Sequence, residues 1–274
     1  MLGSAMLRVL ADSPELDVHA TARSASVRQH FSPALGDKII PGIDVENPDS
    51  LSRVLSEIKP QAVINCVGLV KQLAEANDPL AALPINALLP HRLARLCALG
   101  GARLIHISTD CVFAGTRGNY LESDPSDAYD LYGKSKFLGE VGYAHTITLR
   151  TSIIGHEIGC AHGLIGWFMG QQKQVKGYTK AVFSGLPTVE LASVVKDIIL
   201  NHPDLFGLYH VASEPISKFD LLTLVAEIYG KKIEMVRDES VVIDRSLNGD
   251  LFKAATGYMV PDWPELVKRM YEFK

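Results

Sequence analysis

The chain lacks most features of secreted, membrane-spanning and nucleic-acid-binding proteins. Its 274 residues include four scattered cysteines, and none forms the C-x-x-C pair of a zinc or redox motif. A run of about eighteen apolar residues, as a transmembrane helix needs, is absent. The net charge is −4 without a long basic stretch, which argues against general nucleic-acid binding. We expect a cytoplasmic protein with no membrane partner, no nucleic-acid partner and no metal site.

Strand-like and helix-like segments alternate along the first part of the chain. The strand-like runs are continuously apolar, which is typical of parallel strands that are buried on both faces. These runs are residues 18–22, 38–40, 62–67, 103–108 and 146–150. The alternation predicts an α/β fold with right-handed βαβ units around a parallel sheet.

The most informative segment runs from Ser108 to Lys136. Thr109 follows the fourth strand-like run, so its hydroxyl is expected at the carboxyl end of a strand, where open α/β sheets bind ligands. Tyr132 and Lys136 are four residues apart and share one face of a helix. A nearby ammonium favours the phenolate, so we expect Lys136 to lower the pKa of Tyr132. A hydroxyl, a phenol and an ammonium in this order fit a carbonyl reductase.

The chain resembles an extended short-chain dehydrogenase/reductase, and more narrowly the dTDP-4-dehydrorhamnose reductase-like branch, which acts on nucleotide sugars. The resemblance extends from Gly3 to about Trp263. Its anchors are residues 108–113, 132–136, 149–151 and 185–188, with a looser match at 245–247. It implies a Rossmann-type doubly wound parallel sheet in a dinucleotide-binding domain at residues 1–150. A smaller α/β substrate lobe at 151–274 would interleave with this domain. A homodimer is one possible oligomeric state.

The beginning of the chain departs from this family's pattern. A dinucleotide-binding fold normally opens with a hydrophobic strand followed by a glycine-rich turn. Residues 1–7 read as the end of such a turn entering a helix, with Gly3 matching the last glycine of the family's G-x-x-G-x-x-G motif. We therefore expect that the first strand is truncated and the domain at 1–150 is incomplete.

The end of the second strand-like run bears on the cofactor. An acidic residue there would bond the ribose of NAD, whereas an arginine accommodates the phosphate of NADP. The chain has Arg23 and Ser24 at this place and no acid, which favours NADPH, with NADH as the alternative. The resemblance adds further cofactor-binding residues to Gly3, Arg23, Ser24, Tyr132 and Lys136. They are Asp44, Val45, Asn65, Val67, Gly68 and Asn86.

The resemblance also implies a reaction. NADPH would reduce the ketone of a nucleotide-activated 4-keto-6-deoxysugar for cell-surface polysaccharide synthesis. Thr109, with Ser108 as a further donor, would polarise the carbonyl, and Tyr132 would give the proton. Lys136 would hold the nicotinamide ribose. The residues expected at the substrate are Cys111, Val112, Phe113, Thr151, Trp167 and Arg245, and the pair Lys71-Gln72 is a weaker hypothesis.

Cys111 keeps two alternatives open. Related dehydratases carry glutamate here and the reductase branch carries tyrosine, whereas epimerase-reductases of the GDP-fucose synthase type carry cysteine. A thiol whose pKa is lowered by a cation could act as acid and base with His156 or His162. The alternatives are therefore an epimerase or epimerase-reductase that uses Cys111, and a non-catalytic nucleotide-binding regulatory subunit.

Overall fold

The computed structural model describes residues 1–71 and 74–274. The strands are β1 (Ala20–Ala22), β2 (Ile39–Pro41), β3 (Ala62–Asn65), β4 (Arg103–Thr109), β5 (Thr146–Thr151), β6 (Ile153–Ile154), β7 (Gln174–Phe183), β8 (Leu186–Pro187), β9 (Gly207–His210), β10 (Ile216–Ser217) and β11 (Glu234–Asp244). The α-helices are α1 (Leu2–Ala11), α2 (Pro33–Gly36), α3 (Pro48–Ile58), α4 (Pro79–Ala82), α5 (Leu89–Gly100), α6 (Leu131–Leu138), α7 (Leu164–Gly170), α8 (Thr188–Asn201), α9 (Lys218–Ile228), α10 (Asp250–Thr256) and α11 (Trp263–Glu272). A π-helix, Leu83–Leu88, leads into α5.

The central sheet is parallel, as the apolar runs predict. Its strands are ordered β3-β4-β5-β9, and β1 pairs with β2 in a separate parallel ladder. The five predicted runs overlap β1 to β5 within a few residues at each end, so the predicted α/β class is confirmed. The truncation of a first strand stays a prediction.

Helices cover both faces of the central sheet because side chains alternate along β4. Leu104 packs into a cluster with residues of α3 and α5. Its neighbour Ile105 points the other way, into a larger cluster with residues of α1 and α8. Two helical layers around one parallel sheet give the doubly wound arrangement.

The rest of the chain adds a second sheet. In it β7 pairs antiparallel with β10 and parallel with β11. Ser217 begins α9, and its hydroxyl oxygen accepts a hydrogen bond from the Asp220 backbone N–H at 3.0 Å. β9 joins the central sheet and α8 packs on α1. Residues after 151 therefore also belong to the central sheet and to the helices that cover it. The division into 1–150 and 151–274 stays a prediction.

Candidate active site

Thr109 and Tyr132 meet because α6 lies directly against the turn that follows β4. Asp130 begins this helix, and its Oδ1 accepts a hydrogen bond from the Gly133 N–H at 2.7 Å. A Cβ atom at Gly133 would overlap the carbonyl oxygen of Cys111, so only glycine permits this approach. The Tyr132 phenol lies next to the Thr109 side chain. Two groups that are 23 positions apart in the sequence thus become neighbours.

Lys136 lies beneath this pair on the same helix. Its Nζ donates a hydrogen bond to the Ile107 carbonyl at 2.8 Å, and the residue is 5% exposed. Burial lowers the pKa of Lys136 to about 8, although the carboxylate of Glu140 acts in the opposite direction. The side chain is therefore still mainly an ammonium at neutral pH.

The expected lowering of the Tyr132 pKa is wrong for this structure. Burial raises the pKa of the phenol above its usual range, and the neighbouring Cys111 and Asp110 raise it further. The adjacent Thr109 hydroxyl acts in the opposite direction. Lys136 is directed at the Ile107 carbonyl, so its charge does not offset the desolvation of the phenol. Tyr132 is protonated at neutral pH.

The Thr109 hydroxyl has further partners in the turn. It donates a hydrogen bond to Asp110 Oδ1 at 3.0 Å and accepts one from the Cys111 N–H at 3.1 Å. Burial raises the pKa of Asp110, and the positive charge of Arg245 is the largest opposing influence. Asp110 is absent from the residues predicted for the site, although it lies within the motif that predicted Thr109.

Cys111 lacks the lowered pKa that the epimerase alternative requires. Burial raises the pKa of its thiol to about 12, and the negative charge of Asp110 raises it further. Arg245 and Lys71 lower it, but these cations do not compensate the loss of water. The thiol is therefore protonated at neutral pH.

Ser108 does not join Thr109 as a second donor, because successive strand side chains point to opposite faces. Its hydroxyl donates instead to Glu140 Oε1 at 2.7 Å. Glu140 also accepts two hydrogen bonds from the buried Arg150, at 2.8 and 2.7 Å. Arg150 in turn lies 3.3 Å from His210 Nε2. Little in the sequence indicates this network. Arg150 lies in one of the segments that carry the family resemblance, but no neighbouring residue indicates that Glu140 and His210 are its partners.

The turn after β3 is held by two asparagines. Asn65 Oδ1 accepts a hydrogen bond from the Val67 N–H at 3.1 Å. Asn86 holds Leu69 from the other side, since its side chain accepts from the Leu69 N–H at 2.9 Å and donates to the Leu69 carbonyl at 3.2 Å. These contacts give the turn a defined shape next to the end of the central sheet.

This turn lies beside Lys136 and leaves room for a ligand. The ideal Cβ position at Gly68 lies 3.4 Å from Asn86 Oδ1 and 3.9 Å from Lys136 Nζ, and Gly68 is exposed. A larger side chain would fill this space. Asn86 belongs to the π-helix and donates to the Ser135 hydroxyl at 3.2 Å, which ties the turn to α6. The glycine turn and the lysine fit a dinucleotide.

The other predicted cofactor residues lie after β1, after β2 and at the start of α1. Arg23 and Ser24 follow β1 and are exposed, whereas Asp44 is exposed and Val45 half-buried after β2. Gly3 is exposed in the first turn of α1.

Two of the predicted substrate residues are core residues. Val112 and Phe113 are fully buried, and the Phe113 ring stacks on Tyr120 with centroids 4.1 Å apart. Their side chains therefore cannot touch a ligand in this structure. The Phe113 carbonyl remains useful, since it accepts a hydrogen bond from Arg245 Nε at 2.7 Å.

The remaining substrate predictions are placed differently. Thr151 is 2% exposed at the end of β5, whereas Trp167 on α7 is 42% exposed. Lys71 forms an ion pair with Asp130 at 2.6 Å, at the start of the helix that carries Tyr132. Gln72 lies outside the described residues.

Residues 1–71 and 74–274 contain neither a metal-binding cluster nor a membrane-spanning helix. No group of three or more His, Cys, Asp or Glu side chains is placed to hold a metal ion. None of the described helices combines the length and apolar character that a membrane crossing requires.

The chain is similar to known proteins of one family. The family model described as the RmlD substrate binding domain matches residues 1–272. The chain is 27% identical over 252 residues to dTDP-4-dehydrorhamnose reductase of Escherichia coli, covering 83% of this chain and 84% of the relative. The same enzyme of Burkholderia thailandensis is 34% identical over 136 residues, covering 48% of this chain and 44% of the relative.

A solved structure shows the same fold. It is a dTDP-4-dehydrorhamnose reductase from Bacillus anthracis in complex with NADP. Its TM-score is 0.77 at 21% identity, and the superposition covers 94% of this chain and all of that one.

Proposed function

Because the chain belongs to the RmlD substrate binding domain family, we propose that it reduces a nucleotide-activated 4-keto-6-deoxysugar with NADPH. The product would serve cell-surface polysaccharide synthesis. The observation that carries this proposal is the close approach of α6, which carries Tyr132 and the buried Lys136, to the turn that contains Thr109. The relatives named above as dTDP-4-dehydrorhamnose reductases support the same substrate class.

The residues of this chain would handle the proton. The bound cofactor supplies a hydride to the ketone carbon. Tyr132 is protonated at neutral pH, which is the state that can give its proton to the developing alkoxide. Thr109 lies against the phenol and would orient the same oxygen. Lys136 would hold the nicotinamide ribose, since its Nζ lies 3.9 Å from the ideal Cβ position at Gly68.

NADPH is the proposed cofactor, and NADH is the alternative. Arg23 is exposed after β1, where its guanidinium fork suits a phosphate. Gly68 and Lys136 would meet the nicotinamide half, and Asn86 would shape the turn that contains Gly68. The roles of Gly3, Ser24, Asp44, Val45, Asn65 and Val67 belong to the same proposal.

The two alternatives have less support. An epimerase that uses Cys111 needs a thiolate or an easily ionised thiol, but burial raises the pKa of this thiol to about 12. A non-catalytic subunit has no need of Thr109, Tyr132 and Lys136 at one place, yet α6 brings them together.

A cytoplasmic homodimer completes the proposal. All four cysteines are free, which fits a reducing compartment. Exposed apolar side chains on α4, the π-helix and α6 support self-association, and these elements pack together. They are Leu80, Leu88, Phe137 and Leu138. Sedimentation velocity would test the dimer, with Phe137→Asp expected to shift it to the monomer.

The test of the activity is NADPH oxidation with dTDP-4-dehydrorhamnose, the 4-keto-6-deoxysugar in the names of the relatives. We expect turnover by the wild type and a loss of about 100-fold or more in kcat for Tyr132→Phe, which removes only the phenolic hydroxyl. Tyr129→Phe, at an exposed neighbouring position, is the matched control and should retain wild-type kcat. Equal kcat for the Tyr132 and Tyr129 variants would refute the role of Tyr132.

A further inference from the structure

The Thr109 hydroxyl has a single proton, and Asp110 holds it. A hydroxyl has one proton and two acceptor lone pairs. The proton goes to Asp110 Oδ1 at 3.0 Å, and one lone pair accepts the Cys111 N–H at 3.1 Å. The Tyr132 phenol lies next to the same hydroxyl.

The hydrogen bond from Thr109 to Asp110 has a consequence for a ketone that enters the site. Tyr132 can give its proton to the ketone oxygen. Thr109 cannot do the same while its only proton is held by the Asp110 carboxylate. A protonated Asp110 can itself donate to Thr109, which releases the Thr109 proton for the ketone oxygen.

The surroundings of Asp110 allow it to take up a proton. Its charged and titratable neighbours are Arg245 after β11, Lys218 at the start of α9, and Cys111 and Tyr132. The two cations favour the carboxylate, but burial outweighs them and raises the pKa of Asp110 above its ordinary value. Arg245 is also engaged with the Phe113 carbonyl at 2.7 Å.

We propose that Asp110 is a positioning residue whose protonation sets the direction in which the Thr109 hydroxyl donates. With Asp110 ionised, Thr109 donates away from the substrate; with Asp110 protonated, Thr109 and Tyr132 both donate to the ketone oxygen. The role of Asp110 in turnover rests on the proposed reduction, whereas its hydrogen bond with Thr109 does not.

The hydrogen bond is tested without substrate. The side-chain carboxyl signal of Asp110 is followed by NMR of protein labelled with carbon-13 aspartate, and Asp110→Asn identifies it by its loss. Thr109→Val removes the donor and keeps the shape, so the pKa of Asp110 should rise relative to the wild type. Thr116→Val is the matched control and should leave the titration unchanged. An unchanged Asp110 pKa in Thr109→Val would overturn the proposal, whatever the substrate is.

The effect on turnover is read from the pH dependence of kcat/KM, which reports the free enzyme. We expect wild-type kcat/KM to fall about tenfold per pH unit above the Asp110 pKa measured by NMR. Asp110→Asn should lack this fall, because its amide can donate to Thr109 as the protonated acid does. Its KM for NADPH should stay at the wild-type value.

Asp127→Asn, at an exposed carboxylate in the following loop, is the control and should keep the wild-type profile. If kcat/KM of Asp110→Asn falls at the same pH and with the same slope as that of the wild type, the proposal is overturned. A loss of kcat/KM by the same factor at every pH would also overturn it. If the wild type does not reduce the keto-sugar at all, the proposed function fails. The NMR titration then still decides whether Thr109 donates to Asp110.

Discussion

Gly133 offers the sharpest test of how the active site is assembled. An alanine Cβ there would overlap the Cys111 carbonyl oxygen and lie 2.7 Å from the Ala128 Cβ. Ordinary contact begins near 3.4 Å, so α6 must retreat by at least 3.4 − 2.7 = 0.7 Å. Overpacking of this kind costs about 1–3 kcal/mol. At about 2–4 °C per kcal/mol, we expect Gly133→Ala to lower Tm by about 2–12 °C.

The same retreat should impair catalysis more than stability. It moves Tyr132 away from Thr109, and a displacement near 1 Å can cost about 100-fold in rate. We therefore expect kcat of Gly133→Ala to fall by about 10- to 100-fold in the folded protein at 20 °C. The assay is NADPH oxidation with the keto-sugar, beside a thermal melt. Gly142→Ala is the matched control, since open space surrounds its Cβ position. If both variants have the same kcat and Tm, the close approach of α6 does not position Tyr132.

Three further perturbations follow from the described contacts. Burial and the nearby Arg150 lower the pKa of His210 to about 4, against about 6.5 unfolded. The unfolded chain then binds more protons, so unfolding free energy should drop by about 3 kcal/mol between pH 6.5 and 4. His210→Gln should flatten that dependence in urea melts at several pH values. Arg23→Ala should raise KM for NADPH about tenfold without changing KM for NADH, as steady-state kinetics would show. Asn86→Ala should weaken NADPH binding by calorimetry, because the turn with Gly68 loses two hydrogen bonds.

The periodic features of the fold were predictable because they depend on local order along the chain. Continuous apolar runs predicted β1 to β5. The pairing of β9 with β5 was not predictable, since no local pattern says which sheet a short strand joins.

The candidate site also contains residues that were predictable from the sequence and residues that were not. Thr109, Tyr132 and Lys136 are residue types whose order indicates a reductase, and the structure places them around one helix start. Phe113 was expected at the substrate because it follows the same motif, yet its ring is fully buried against Tyr120. A motif places a residue near a site, but the packing of distant segments decides which way its side chain faces.

The sequence alone determined which chemical groups this protein has and in what order they occur. It also determined the parallel α/β class, because apolar periodicity sets which faces of a strand can be buried. Only the tertiary structure decided the protonation of those groups. Burial raises the pKa of Tyr132 and of Cys111, against the direction expected from neighbouring cations. The reason is that water is excluded by segments remote in sequence, and the cost of a charge depends on that exclusion.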